Sequence, residues 1–525
     1  MTTEIVWFKR DLRVEDHAPL ARAAAHGPVL PLYVLEPDLA TQPDASAQHA
    51  GFALECLDEL GRALRARGVC LQVRTGSMPA VLEALAAQFG RVRVWSHEET
   101  GNGASFARDR EVRAWCRVRG VEWTELPANG VVRGLRDRDG WSVEWDRRMS
   151  SPPVAAPARI APAAGCEPRA AREGLGVLRA DSTDDDRRHR QRGGRAVALA
   201  LLDSFLTGRG THYRAAMSSP LTAEEACSRL SAHLAYGCLS VRETAQAVWQ
   251  QRSGLLALDP AARPRELLAS LKSFESRLHW RCHFMQKLES EPRIEFENMH
   301  RGYDGLRERG SFPSGFEAWR RGETGYPLVD ACMRKLAATG WINFRMRAML
   351  VSFAAYQLWL HWRDPALHLA REFLDYEPGI HYPQVQMQSG TTGINTVRIY
   401  NPVKQARDQD PNGDFVRRWV PELQGVSAQW IFEPWNMPAS VQIQSGTIIG
   451  RDYPSPVVEL EASTRVARER MHAVRARWEV REQARAIYVR HGSRNPAREG
   501  LVRKATRRAT SNPMQGDLFP GEDRD

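Results

Sequence analysis

Five short apolar runs punctuate the first quarter of the chain, and their spacing constrains the fold more than any other feature. They are Ile5–Phe8, Val29–Leu35, Cys70–Val73, Val92–Trp95 and Val121–Leu126. Between them, stretches such as Phe52–Arg65 and Ser105–Arg119 carry apolar residues at helical spacing, with arginine and glutamate on the opposite face. Strand alternating with helix is the pattern of a parallel, doubly wound α/β sheet. Such a domain is expected over residues 1–148. No G-x-G-x-x-G follows the first run, which disfavours a dinucleotide-binding site despite the architecture.

The rest of the chain reads differently. Residues 149–195 hold Pro152, Pro153, Pro157, Pro162 and Pro168, then the mixed-charge run 184–190, and predict a partly disordered linker. From 196 to about 460, helical periodicity dominates, in Val197–Leu206, Val241–Gln250, Glu266–Leu288, Pro327–Ala338, Ile342–His361 and Pro365–Leu374. A mostly α-helical second domain is expected there, followed over 461–525 by a basic helix and a flexible tail.

A chain of 525 residues, 42% of them hydrophobic, is long enough for two cores. Its net charge of +10 points to a polyanionic partner, or to an arginine-rich proteome. The eight cysteines include no C-x-x-C pair, which argues against disulfide frameworks, zinc ribbons and iron–sulfur clusters, so no metal is expected. No long charge-free apolar run occurs, and the expectation is a cytoplasmic protein without membrane contact.

Three stretches resemble the photolyase/cryptochrome family. The first is Val6-Trp7-Phe8-Lys9-Arg10-Asp11-Leu12-Arg13. The second is Thr324-Gly325-Tyr326-Pro327-Leu328-Val329-Asp330-Ala331-Cys332-Met333-Arg334, continuing through Thr339-Gly340-Trp341 to Arg345 and Arg347. The third is Arg398-Ile399-Tyr400-Asn401-Pro402 with Phe415-Val416-Arg417-Arg418-Trp419. The resemblance implies an α/β domain that can hold a second, antenna chromophore of unknown identity, and a helical domain that binds FAD. Its implied action is light-driven repair of pyrimidine dimers in damaged DNA, cyclobutane dimers favoured, by a protein acting as a monomer. A blue-light receptor without repair activity and a flavin-containing DNA-binding protein are the alternatives.

By this resemblance, Ser228, Arg229, Leu230 and Ser231 cradle the FAD diphosphate, with Tyr213 upstream and Arg281 downstream, and Cys227 replaces the usual threonine. The serine hydroxyls and backbone N–H groups suit a phosphate at a helix start. Arg347 and Asp375 match the arginine–aspartate pair over the flavin, and Glu377 an acidic position two residues on. A fixed arginine there stabilises the negative charge of reduced flavin. Trp280 matches the tryptophan on which a flipped lesion stacks.

The departures cluster. Arg277 stands where a glutamate usually meets the pyrimidine, and Asn343-Phe344 replaces a His-Asn pair, which argues against histidine-dependent repair of six-four photoproducts. The loop Tyr376–Met387 lacks both of its usual tryptophans. Trp362 keeps the middle position of the electron-conducting chain, with Trp359 or Tyr382 as candidate partner. His381 is the titratable group expected nearest the flavin's reactive nitrogen. Glu98 and Glu99 sit where antenna sites often recruit a carboxylate. Arg345, Arg398, Lys404, Arg417 and Arg418 are candidate phosphate contacts. Finally, Gln515-Gly516-Asp517-Leu518-Phe519 resembles the peptide by which bacterial repair proteins dock on the sliding clamp.

Overall fold

The computed structural model describes residues 2–165 and 189–493. Its N-terminal part is built on five parallel strands in the order β3-β2-β1-β4-β5: β1 Thr3–Phe8, β2 Val29–Leu35, β3 Gln72–Thr75, β4 Val92–His97 and β5 Trp123–Leu126. Ile5 pairs with Leu30 on one side and Val94 on the other. β1 is buried along its whole length, as a central strand with helices on both faces must be. The crossovers are α1 Ala18–His26, α2 Ala47–Arg65, α3 Met78–Phe89 and α4 Gly103–Arg119. α2 turns Phe52, Leu57, Leu60 and Leu64 onto the sheet, the helical spacing seen in the sequence. A further helix, α5 Trp141–Ser150, follows β5.

The stretch expected to be an open linker is fixed over its first part. Asp16 N–H donates to Val154 O, and Val154 N–H returns to the Asp16 carboxylate. Further along, Ile160 N–H donates to Arg67 O, while Val29 exchanges backbone bonds with Ala161 and Ala163. Prolines cannot donate, yet the residues between them can, so a proline-rich strap is still able to pair with a sheet. Residues 166–188 of that stretch lie outside the described residues, as does Gln515–Phe519.

Helices make up the second part: α6 Arg195–Thr207, α7 Ser231–Ala235, α8 Val241–Leu256, α9 Arg265–Ser290, α10 Pro327–Thr339, α11 Phe344–Ser352, α12 Arg363–Glu372, α13 Pro378–Ser389, α14 Leu460–Ala476 and α15 Trp478–His491. Two expectations change here. The single helix read over Ile342–His361 ends at Ser352 and passes into five residues of π-helix, Phe353–Gln357, after which Trp359 turns back with φ 54°. Apolar periodicity does not distinguish the wider π turn from an α turn. The segment Tyr376–Met387 is mostly helix: Pro378 starts α13 at its first position, and Gly390, left-handed at φ 75°, ends it.

The two parts are pressed together. Arg10 Nε donates to Ala235 O, Leu12 N–H to Tyr236 O and Arg13 Nη1 to Gly237 O. Gly237 has φ 70°, and a Cβ there would come within 2.4 Å of Arg10 O and Asp11 Cα, so the approach requires glycine. A second strip joins α2 to the end of α12. Gln48 Nε2 donates to Arg371 O and Glu372 O, and His49 Nε2 lies 2.9 Å from Phe373 O. Among the described residues, no helix is long and apolar enough to cross a membrane.

Candidate functional site

Arg347 lies one turn into α11, and its N–H donates to Asn343 O. Its Nη1 and Nη2 grip the Asp375 carboxylate at 2.9 and 3.0 Å, and Nε is tied to Ile342 O at 2.7 Å. The fork is therefore held on three sides and lies over the Phe373 ring, with its Cζ 4.1 Å from the centroid. Asp375 also bonds the Ser231 hydroxyl, and its carboxyl is held below the usual range by Arg347 against the opposing effect of burial. Thus the Ser228–Ser231 turn and the Arg347–Asp375 pair, more than a hundred residues apart, meet at one carboxylate.

The turn itself is strained. Arg229 has φ 61°, unusual for a residue with a side chain, and its guanidinium stacks 3.9 Å over Trp341. Ser228 Oγ accepts from Leu230 N–H at 3.4 Å, and Leu230 is fully buried. Arg281 does not reach this turn. It donates to Leu234 O at the far end of α7 and to Glu377 at 2.9 Å. Tyr213 packs edge-on against Phe205 and Phe274, and burial pushes its hydroxyl up to about 12. Arg277 hydrogen-bonds to it.

Arg277, Trp280 and Arg281 lie at i, i+3 and i+4 along α9, so they share one face. Trp280 is half-buried against His283 and Phe284. Arg277 approaches Met217 Sδ, and Asn343 Nδ2 donates to Met217 O and Ser218 O, so both hold the same short segment. Asn343 Oδ1 is buried and accepts no hydrogen bond within the protein, which suits an acceptor for a ligand donor.

His381 is buried within α13, not placed in a loop, and Nε2 lies 2.8 Å from Ala366 O. A carbonyl only accepts, so Nε2 carries the proton and Nδ1 is left as an acceptor. Burial pulls the ring down to about 4, leaving it neutral near pH 7. Trp362 is buried, with Nε1 donating to Asn298 Oδ1 at 2.8 Å. Its ring is 6.4 Å from Tyr382 and nearly perpendicular to it. Trp359 lies between Arg307 and Arg470, 4.4 and 4.9 Å from its ring, where two cations oppose the loss of an electron. The residue that sequence reasoning missed is Asp44, whose Oδ2 accepts from Tyr376 at 2.5 Å and Tyr382 at 3.2 Å.

Between the two parts lies a cavity whose walls include Lys9, Arg10, Glu98, Glu99, Arg281 and Glu377. Glu99 is fixed there by Gly101 N–H and by Arg108, and Lys9 and Arg108 hold it down at about 2 despite burial. Arg281 Nε is buried without a hydrogen-bond partner. Nearby, Asp11, His17 and His97 offer possible metal-ligand atoms, but Asp11 Oδ2 already joins both rings, at 3.0 and 2.6 Å. Of the candidate phosphate contacts, Arg417 is spent on Asn412 O and Val426 O, while Lys404 and Arg418 are exposed.

The sequence matches the family described as DNA photolyase over residues 4–135 and the FAD binding domain of DNA photolyase over residues 274–473. Those matches define the class: a flavoprotein with an α/β domain joined to a helical FAD-binding domain. A cryptochrome DASH from Gloeobacter violaceus is 31% identical, over 87% of this chain and 93% of its own. A deoxyribodipyrimidine photo-lyase from Streptomyces griseus is also 31% identical, over 90% and 99%. An archaeal photolyase from Sulfolobus tokodaii, solved with two FAD molecules, superimposes with a TM-score of 0.73 at 26% identity, over 90% of this chain and all of that one. The chain belongs to the photolyase/cryptochrome family, and FAD is its cofactor.

Proposed function

We propose that this protein repairs cyclobutane pyrimidine dimers in DNA, using light absorbed by reduced FAD. The observation that carries the reading is the single helical turn joining Asn343 to Arg347. It sets a group on the segment shared with Arg277 beside the ion pair assigned to the flavin. Bound there in its reduced form, FAD would supply light-driven one-electron chemistry. Arg347 neutralises charge on the reduced ring and Asp375 fixes Arg347. Ser228 offers its hydroxyl and Ser231 its backbone N–H, at the start of α7, for the diphosphate, while Tyr213 and Arg277 lie alongside. Trp280 offers a stacking face to the flipped lesion. Arg277 provides a donor for a pyrimidine carbonyl, and Asn343 Oδ1 an acceptor for a pyrimidine N–H. His381, neutral near pH 7, leaves Nδ1 as an acceptor.

The test is direct. Reduced holoprotein, incubated with a dimer-containing oligonucleotide, should restore the bases in light and not in the dark. Binding without repair would favour a DNA-binding protein, and neither would favour a light receptor. The cavity between the domains, lined by Lys9, Arg10, Glu99, Arg281 and Glu377, is the place we assign to a second chromophore. Gln515–Phe519 supports docking on the bacterial sliding clamp, and fluorescence polarisation of a peptide spanning residues 511–522 tests it. Clamp binding that survives replacing Leu518 and Phe519 by alanine would exclude that mode.

A further inference from the structure

Cys56 and Cys238 are 182 residues apart in the chain, yet their sulfurs lie 3.3 Å from each other. Cys56 sits on α2 of the α/β domain, whereas Cys238 lies in the turn between α7 and α8 of the helical domain. Beside them the Phe52 ring, one turn earlier on α2, packs 5.3 Å from the His233 ring on α7. The meeting depends on Gly237, which lets the turn press against Arg10 and Asp11. Both side chains are buried, and both are free thiols. No cysteine motif joins them in the sequence, because the pair exists only where the domains meet.

We propose that Cys56 and Cys238 are a modification site, which closes to a reversible disulfide across the domain boundary when the protein meets a hydroperoxide. Cys238 reacts first. Its thiolate attacks one peroxide oxygen, the O–O bond breaks, and Cys238 becomes a sulfenic acid while the other oxygen leaves as hydroxide. The Cys56 sulfur then displaces the sulfenic hydroxyl and forms the S–S bond. The two thiol protons neutralise the two hydroxides, so two thiols and one hydrogen peroxide give one disulfide and two waters. A soluble dithiol reverses the reaction by exchange.

The surroundings of each sulfur favour this order. The hydrogen bond between the sulfurs draws the Cys238 thiol below its ordinary range, and His233 acts in the same sense, whereas burial pushes the Cys56 thiol up. Gly194 N–H is directed at both sulfurs, which favours negative charge there. Cys238 N–H is tied to His233 O and its carbonyl to Arg195 Nη1, both at 2.9 Å, so the backbone stays fixed while the side chain turns. A small rotation of each side chain then brings the sulfurs to bonding distance. Gly193 lies directly on Cys56, where a Cβ would come within 2.8 Å of Sγ. Backbone alone covers the sulfur at that point, and a small hydroperoxide suits the site better than a bulky disulfide.

Holoprotein with its thiols reduced should be treated with hydrogen peroxide well below its melting temperature, then denatured, alkylated with N-ethylmaleimide and digested for mass spectrometry. A peptide pair joining Cys56 to Cys238 should appear in protein that retains its flavin, and dithiothreitol should part it. The midpoint of thermal unfolding should rise by roughly 5 °C, since the bond ties one domain to the other. Cys238→Ser should leave Cys56 open to alkylation after the same dose, because the first attacking sulfur is gone. Oxidation of Cys56 in that variant would overturn the order of attack. Full alkylation of both cysteines in the parent, or a bond from either to a different cysteine, would overturn the site itself. The mapping in the parent needs no variant to fold, and its outcome is independent of dimer repair.

Discussion

Asp375 and Tyr376 are neighbours in sequence, and the structure sends them to opposite tasks. Asp375 turns inward to Arg347 and Ser231, so its partners all come from the helical domain. Tyr376 crosses the domain boundary to Asp44. The difference teaches that the Arg347–Asp375–Ser231 contacts are internal to one domain, whereas the phenol cluster exists only where two domains meet. Injury to the ion pair should release flavin, and injury to the boundary should spare it.

The largest effect expected is that of Arg347→Ala. It strands the Asp375 carboxylate in a buried site, a change that costs on the order of 3–5 kcal/mol. FAD affinity should fall roughly 10²- to 10³-fold, read from the flavin absorbance of the purified protein. Retention of flavin at the parent's level would mean the pair does not serve the cofactor.

Gly237→Ala tests the other side of the comparison. A left-handed backbone for alanine costs about 1–2 kcal/mol, and the added methyl also meets Arg10 O and Asp11 Cα. Thermal stability should drop and the yield of the Cys56–Cys238 disulfide should fall, while the folded fraction keeps its FAD. Loss of flavin in proportion to the disulfide would erase the distinction between the two regions.

Trp280→Ala belongs to neither set and should have the smallest effect. Removing one stacking face costs about 1–3 kcal/mol, or roughly 5- to 150-fold in affinity for dimer-containing DNA. Flavin content and disulfide yield should not change. If FAD is lost as well, Trp280 supports the core rather than the lesion.

Local order was legible in the sequence, and long-range meetings were legible only through motif. The strands follow from apolar runs because burial on both faces demands them. The Arg347–Asp375 pair was readable because its flanking residues resemble a family, not because helical periodicity can bring position 347 to 375. No such signal marked Asp44. It lies in a short loop before α2, 332 residues from Tyr376 and 338 from Tyr382. The helix α13 is hard to read in the sequence, although Pro378 and Gly390 mark its ends, since Pro383 within it lacks the N–H a helix interior requires. Likewise a regular helix over Ile342–His361 sets Trp359 one turn from Trp362, whereas the chain leaves its helical course after Gln357 and Trp359 takes φ 54°.

The strip joining residues 44–49 to 371–376 has a consequence for chain entropy. Bringing such distant positions together costs about (3/2)RT ln n, roughly 5 kcal/mol for a loop of this length, more than any one of these hydrogen bonds returns. Once the first contact has met that cost, the bonds from Gln48, His49 and Asp44 close at little further loss. The strip should therefore zip or open as a unit, so that a protein which has lost one of these bonds remains docked until several are gone.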